Sequence, residues 1–163
     1  MTGHRDIAEE HLETVRAGLR REIVRAVAEG YTRFLSGFAR GADLYFAEIV
    51  AELKGSDPAI RLEALLPYRA RLYSREPLFR GLIAACDRVD VQSEDYTPTC
   101  FFARDRALVE AASLVIAVYD GRPSGGTRYT LRCARSLGRE VRHVRPALLR
   151  AEQLEMLWER EPP

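Results

Sequence analysis

Apolar residues recur at helical spacing over the first part of the chain. Between residues 7 and 27 they return every three to five positions, which predicts one apolar stripe along a long helix. Asp6 and Glu9 predict a capping pair at the start of this helix, and Gly30 is placed to end it. A short apolar run at residues 31–35 follows and predicts a buried strand.

The rest of the chain alternates between the same two patterns. Strands are predicted at residues 31–35, 60–66, 88–92, 114–119 and 140–144, and further helices at 41–53, 76–86, 101–112, 127–137 and about 147–160. Strands that alternate with helices of this length pair in parallel through right-handed crossovers. The pattern therefore predicts an α/β fold, a three-layer Rossmann-like doubly wound and mainly parallel sheet.

Length and composition agree with one domain over residues 1–163. The hydrophobic fraction of 47% and the charged fraction of 30% are ordinary for a soluble globular protein. No apolar run approaches the roughly 20 residues of a membrane span, and the first residues lack the apolar core of a signal peptide. We therefore expect a cytoplasmic protein that has no membrane partner.

Charge and residue spacing argue against a nucleic-acid partner and against a metal site. The formal net charge of +1 argues against a nucleic-acid partner, although a local basic patch stays possible. Lys54 is the only lysine among the 25 basic residues. Because almost every basic residue is arginine, an arginine indicates a phosphate contact only where its position supports one. His4 has no other histidine or cysteine at ligand spacing, so we expect no metal site.

Two glycine-rich segments follow predicted strands and open predicted helices. The first, residues 36–43, reads Ser-Gly-Phe-Ala-Arg-Gly-Ala-Asp, and its candidate ligand-binding residues are Ser36, Gly37, Arg40, Gly41 and Asp43. Glycines allow a ligand to approach the backbone, and the free amides of a helix start favour an anion such as phosphate. A plain tight turn, with Asp43 capping the helix, is the competing interpretation.

The second segment, residues 120–127, reads Asp-Gly-Arg-Pro-Ser-Gly-Gly-Thr and contributes Asp120, Gly125, Gly126 and Thr127 as candidates. An ordinary loop would explain a Gly-Gly pair by itself. In a doubly wound sheet, however, ligands bind beyond the carboxyl ends of the strands, and both segments are predicted to lie there. The two turns together therefore predict a phosphate-binding site.

Two weaker candidates lie elsewhere. At the start of the chain, Gly3, His4 and Arg5 could line the same edge of the sheet, whereas a frayed terminus is the alternative. Arg104 lies in the predicted helix 101–112, within the charged run Arg-Asp-Arg at residues 104–106, and it could reach a phosphate. The alternative is that this run forms a solvated charged face of the helix, which is the usual role of such a run.

Four motifs in a fixed order resemble the YpsA-like branch of the SLOG superfamily. They are Thr-Gly-His-Arg at residues 2–5, the glycine-rich segment 36–43, Ala-Arg-Asp-Arg-Ala-Leu-Val at 103–109, and Ser-Gly-Gly-Thr at 124–127. The resemblance implies a Rossmann-type domain that binds a nucleotide or nucleotide derivative, in several members as a sensor or effector. It also implies that the candidate residues surround one ligand. The resemblance implies no specific cofactor other than this nucleotide-type or phosphate-bearing ligand.

The sequence departs from a related branch, the phosphoribohydrolases that activate cytokinins. Their motif resembles Pro-Gly-Gly-x-Gly-Thr-x-x-Glu, and its glutamate assists cleavage of an N-glycosidic bond. Here Thr130 stands at the position of that glutamate, and a hydroxyl cannot act as a carboxylate base near neutral pH. Asp43, Asp105 or Asp120 could substitute for it. The DNA-processing DprA proteins are more distantly similar, but their basic surface has no counterpart in this near-neutral chain.

The start of the chain is a second departure. The family has a hydrophobic strand before Thr-Gly-His-Arg, whereas only Met1 precedes that motif in this sequence. The start is either truncated or lacks that strand. If the strand is missing, one position of the sheet is empty and strand 31–35 has an exposed edge, which favours a homo-oligomer.

These observations predict a regulatory or sensory nucleotide-binding domain, with Gly3, His4, Arg5, Arg104 and both glycine-rich segments at the ligand. Two alternatives stay open. One is an N-glycosidase or phosphoribohydrolase that acts on nucleoside monophosphates with another carboxylate. The other is a protein-interaction module whose pocket is vestigial.

Overall fold

The structure is a computed structural model, and it describes residues 1–146. The helix predicted at about residues 147–160 lies outside the described residues. The strands are β1 (Thr2–Gly3), β2 (Arg33–Ser36), β3 (Arg61–Leu66), β4 (Arg88–Val91), β5 (Leu114–Val118) and β6 (Glu140–Val144). The helices are α1 (Glu9–Ala28), α2 (Ala42–Ser56), α3 (Pro77–Ala85), α4 (Cys100–Glu110) and α5 (Gly126–Ser136), with a 3-10 helix at Arg69–Tyr73.

All of the strand pairs are parallel. They form two three-stranded sheets in the orders β1-β5-β6 and β2-β3-β4. The amino group of Met1 donates a hydrogen bond to the carbonyl oxygen of Leu35 at 3.1 Å, which joins the two sheets next to β1. The predicted α/β Rossmann-like fold is thus confirmed.

Helices cover both faces of the strands. Successive side chains of a strand point to opposite faces. In β5, Ile116 packs into the main core formed with α1, α2 and α3, whereas its neighbour Val115 packs in a smaller cluster with Val109 of α4 and Ala134 of α5. This alternation produces the three layers that the sequence pattern predicts.

The start of α1 differs from the prediction. Ala8, in an extended conformation, is the residue before the first helical turn, and no side chain caps the helix. The predicted Asp6–Glu9 capping pair is therefore wrong. Glu9 and Glu10 instead place negative charge in the first turn, where the helix dipole favours it.

The first residues of the chain are ordered in the sheet. Thr2 and Gly3 pair with Ala117 and Val118 of β5, so the alternative of a frayed terminus is wrong. Beside Met1, a cavity of about 320 Å³ separates β2 from β5.

Candidate functional site

The carboxyl ends of β1, β2 and β5 meet at one edge of the molecule. The backbone amide of Ala42, the first residue of α2, donates to the carbonyl oxygen of His4 at 3.1 Å. The amide of Asp120, just after β5, donates to Nε2 of the same histidine at 3.2 Å. His4 therefore fastens the segment after β1 to both of the glycine-rich turns.

His4 also forms an ion-pair contact with Asp120. Its Nε2 atom lies 2.8 Å from Oδ1 of that carboxylate, and its ring contacts Tyr119. Burial lowers the pKa of His4 below the ordinary value, although the Asp120 carboxylate opposes this shift. One nitrogen cannot accept from the Asp120 amide and donate to its carboxylate at once. Protonation of His4 therefore exchanges one hydrogen bond for the other.

Arg122 completes this arrangement. Its Nη2 atom lies 2.6 Å from Oδ2 of Asp120. Burial acts to raise the pKa of Asp120, but the hydrogen bonds from Arg122 outweigh it and hold that pKa below its usual value. Asp120 is therefore an ionised carboxylate that is shared between a histidine and an arginine.

The first glycine-rich turn, residues 36–43, is closed by its own hydrogen bonds. The hydroxyl of Ser36 donates to the carbonyl oxygen of Asp43 at 3.0 Å and accepts from the amide of Phe38 at 3.2 Å. The Asp43 carboxylate accepts from the amide of Ala39 at 3.3 Å. Asp43 thus closes the turn through its side chain.

Both glycines of this turn are required by close packing. A Cβ atom on Gly37 would lie 1.4 Å from Nη1 of Arg104, and one on Gly41 would lie 2.3 Å from the carbonyl oxygen of Arg5. Gly41 also has a φ of +82°, in the left-handed region that favours glycine. The space beside these glycines is filled by the protein itself.

Arg104 is turned inward, below the first turn. Its Nε atom lies 2.9 Å from Oδ1 of Asp105, and its Nη1 atom lies 3.5 Å from Oδ2 of Asp43. All three side chains are buried. Burial raises the pKa of Asp43, and it raises the pKa of Asp105 to about 6, because Arg104 offsets only part of the cost of desolvation.

The second glycine-rich turn is open. Ser124, Gly125 and Gly126 are exposed, and α5 begins after Gly125 without a side-chain cap. The amides in the first turn of a helix have no carbonyl partner within that helix. A Cβ atom on Gly126 would lie 3.3 Å from Oδ2 of Asp105, so the pair Arg104–Asp105 connects the first turn to the second.

Thr127 and Thr130 are buried beneath this turn. The Thr130 hydroxyl donates to the carbonyl oxygen of Gly126 at 2.9 Å, and it is also in hydrogen-bonding contact with Asp105. The Thr130 hydroxyl is therefore bonded back to its own helix, and a carboxylate from α4 lies next to it.

Two arginines remain available at this edge. Arg5 and Arg40 are both exposed, and neither forms an ion pair within residues 1–146. The guanidinium group of Arg5 lies over the ring of Phe101, 5.1 Å from its centroid. Arg40 of the first glycine-rich turn and Arg5 thus provide exposed positive charge at this edge.

The structure brings together all of the segments that the sequence singled out. Hydrogen bonds and contacts link residues 2–5, both glycine-rich turns and Arg104. Three aromatic residues at this edge were not predicted. They are Phe101, which contacts Arg5, Tyr68, which contacts Phe101, and Tyr96, which contacts Tyr68. The signal for Tyr68 and Tyr96 was their position just after the predicted strands 60–66 and 88–92.

Among residues 1–146, no group of three or more histidine, cysteine, aspartate or glutamate side chains is arranged to hold a metal ion. Within the same residues no helix is both long and apolar enough to cross a bilayer.

The fold and these motifs define a Rossmann-like α/β protein with glycine-rich turns at its strand ends. The model of the YspA SLOG family matches residues 3–153, and the chain belongs to that family.

Relatives in Bacillus species are similar over most of the chain. A UPF0398 protein from Bacillus pumilus (strain SAFR-032) is 27% identical over 128 residues, which are 74% of this chain and 68% of that protein. UPF0398 proteins from Bacillus thuringiensis (strain Al Hakam) and Bacillus cereus (strain AH187) are each 23% identical over 133 residues, 78% of this chain and 72% of theirs. Membership of the SLOG family indicates a nucleotide-related function.

Proposed function

We propose that this protein binds a nucleotide or nucleotide derivative at the carboxyl edge of its strands and acts as a sensor or regulator. The observation that carries the proposal is the exposed, uncapped start of α5 at Gly125 and Gly126, directly after β5. Unpaired amides and the helix dipole both favour a phosphate group at such a position.

Arg40 and Arg5 supply the positive charge in this proposal. Both are exposed and without an ion-pair partner among the described residues, so neither has to break an ion pair to reach a phosphate oxygen. A guanidinium group can bind two phosphate oxygens at once. His4 fixes the two turns relative to each other through its hydrogen bonds with Ala42 and Asp120.

The first glycine-rich turn and Arg104 have a supporting role. Arg104 is buried and paired with Asp43 and Asp105, and its guanidinium fills the space beside Gly37. We therefore assign Arg104 to the shape of the site, and assign direct phosphate contact to Arg40 and the amides of residues 125–127.

A regulatory role is favoured over hydrolysis by the contacts of Thr130. Its hydroxyl donates to the Gly126 carbonyl, in the position where related hydrolases carry glutamate. A hydroxyl with that hydrogen bond is directed at a backbone carbonyl, and it is not a base at neutral pH.

Calorimetry with AMP, ADP and ADP-ribose tests the proposal. We expect the wild-type protein to bind at least one of the three, and the Arg40→Ala variant to bind that compound roughly ten-fold more weakly. Arg88→Ala is the matched control, because Arg88 is an exposed arginine at the amino end of β4, opposite the carboxyl edge of the strands. Absence of binding at millimolar concentration of all three compounds would contradict the proposal.

Asp105 supports a second candidate function, cleavage of the N-glycosidic bond of a nucleoside monophosphate. Its carboxyl group has a pKa raised to about 6 and lies next to Gly126 and Thr130. In that reaction Asp105 would take a proton from the attacking water while the base leaves with the electron pair of the broken bond. Chromatography of nucleoside monophosphates after incubation detects released base. This candidate requires release by the wild-type protein and none by Asp105→Asn.

A further inference from the structure

Three aromatic side chains stand together at the carboxyl edge of β3 and β4. The ring of Tyr68 lies 5.5 Å from that of Tyr96 and 6.1 Å from that of Phe101, measured between centroids. Both pairs are nearly perpendicular, with interplanar angles of 84° and 87°. We call Tyr68, Tyr96 and Phe101 the aromatic cluster.

Each member of the aromatic cluster comes from a different segment. Tyr68 follows β3, Tyr96 lies in the loop after β4, and Phe101 lies in the first turn of α4. The amide of Arg69 donates to the carbonyl oxygen of Ser93 at 3.0 Å, which holds the first two segments together. The cluster is therefore a fixed feature of this edge.

The aromatic cluster differs from the aromatic pairs of the core. Phe38 and Phe79 also meet edge to face, but both are completely buried. Tyr96 is 62% exposed, and Tyr68 and Phe101 are partly exposed. Large aromatic surface that is fixed in place yet left open to solvent is typical of a binding surface.

Arg5 connects the aromatic cluster to the proposed phosphate site. Its carbonyl oxygen borders Gly41, and its guanidinium group lies over Phe101 at 5.1 Å from the ring centroid. A single residue thus contacts the first glycine-rich turn with its backbone and the aromatic cluster with its side chain. A ligand that extends from the turns toward β3 meets this cluster next.

We propose that the aromatic cluster stacks against a planar ring of the ligand, so that the ligand is a nucleotide with its base and not a sugar phosphate. This inference rests on the proposed function, because it assumes that the phosphate of the same ligand binds at the turns. Stacking a base on aromatic side chains strengthens binding and tolerates different bases.

Binding of AMP and of ribose 5-phosphate to the full chain tests the inference. The two compounds share the sugar and phosphate and differ by the base. We expect AMP to bind roughly ten-fold or more tightly than ribose 5-phosphate. In the Tyr96→Ala variant that ratio falls to about one, because the affinity for AMP drops and that for ribose 5-phosphate stays the same.

Phe102→Ala is the matched control. Phe102 is the neighbour of Phe101 on α4 and is 45% exposed, but its ring packs against Tyr129 and not against the aromatic cluster. We expect this variant to keep the wild-type ratio. Thermal unfolding of both variants confirms that each is folded.

Three results would overturn the inference. If ribose 5-phosphate binds as tightly as AMP, or if Tyr96→Ala weakens both compounds equally, the cluster does not hold a base, while phosphate binding at the turns stands. If neither compound binds, the proposed function fails and the inference fails with it.

Discussion

The guanidinium group of Arg104 occupies the space that a side chain on Gly37 would need. Its Nη1 atom lies 1.4 Å from the Cβ position of that glycine. The same arginine contacts Asp43 and Asp105, which are also buried. Gly37 is thus glycine because Arg104 is beside it, and the first glycine-rich turn is shaped from inside the protein.

Replacement of Gly37 by alanine tests this packing. The new methyl group displaces Arg104 and leaves two buried carboxyl groups without their counter-charge, so we expect the free energy of unfolding to fall by about 2 to 4 kcal/mol. Chemical denaturation measures the change. Gly81→Ala is the control, because nothing lies within 4 Å of its Cβ position and alanine favours the helix. Equal stability of Gly37→Ala and the wild type would show that Arg104 does not require this glycine.

The position of both turns could be predicted from sequence, whereas their different roles could not. Strands that alternate with helices fix which strand ends lie at one edge of the sheet. The sequence therefore predicts that residues 36–43 and 120–127 lie at the same edge, and the structure links them through His4. The packing of Arg104 against Gly37 joins residues that are 67 positions apart in the sequence, and no local pattern signals it. Sequence alone therefore gives no sign that the first turn is filled and the second is open.

Two further features could not be predicted from the sequence: the short strand β1 and the clustering of aromatic residues from separate loops. Thr2 and Gly3 form a strand of two residues, too short for an alternating pattern, and only the pairing with β5 defines it. Tyr68 and Tyr96 lie in separate loops that are joined by the hydrogen bond from Arg69 to Ser93. Such contacts depend on the register of β3 and β4.

The pH dependence of stability tests the burial of Asp105. Its pKa is raised from the ordinary value near 3.8 to about 6, so the folded protein holds a proton that the unfolded chain loses. This group therefore lowers the free energy of unfolding as the pH rises from about 4 to about 6. In Asp105→Asn that loss is absent.

Denaturation of both proteins at several pH values measures this effect. The stability of Asp105→Asn relative to the wild type should rise between pH 4 and pH 7 by an amount on the order of 2 kcal/mol. Because only the difference between the two proteins is compared, the carboxyl groups that do not interact with Asp105 cancel. A difference that is constant over this range would mean that Asp105 titrates as an exposed carboxyl group.

The contact between His4 and Asp120 predicts a change in a histidine titration. Burial lowers the pKa of His4, the Asp120 carboxylate raises it, and Arg122 lowers it. Asp120→Asn removes the raising charge and leaves Arg122 unpaired, so the pKa of His4 should fall further below the ordinary value. NMR titration of the histidine ring carbons measures it. The pKa of His143 should not change, and a rise for His4 would contradict the geometry.

Chemical-shift mapping tests the central claim most directly, that a nucleotide phosphate binds at the start of α5. An amide spectrum of the 18.5 kDa chain is recorded during titration with AMP. The amides of Gly125, Gly126 and Thr127 should show the largest shifts, and that of Gly138, a glycine of positive φ beyond the other end of α5, should not move. No shift at residues 125–127 at millimolar AMP, or shifts confined to other parts of the molecule, would contradict the claim.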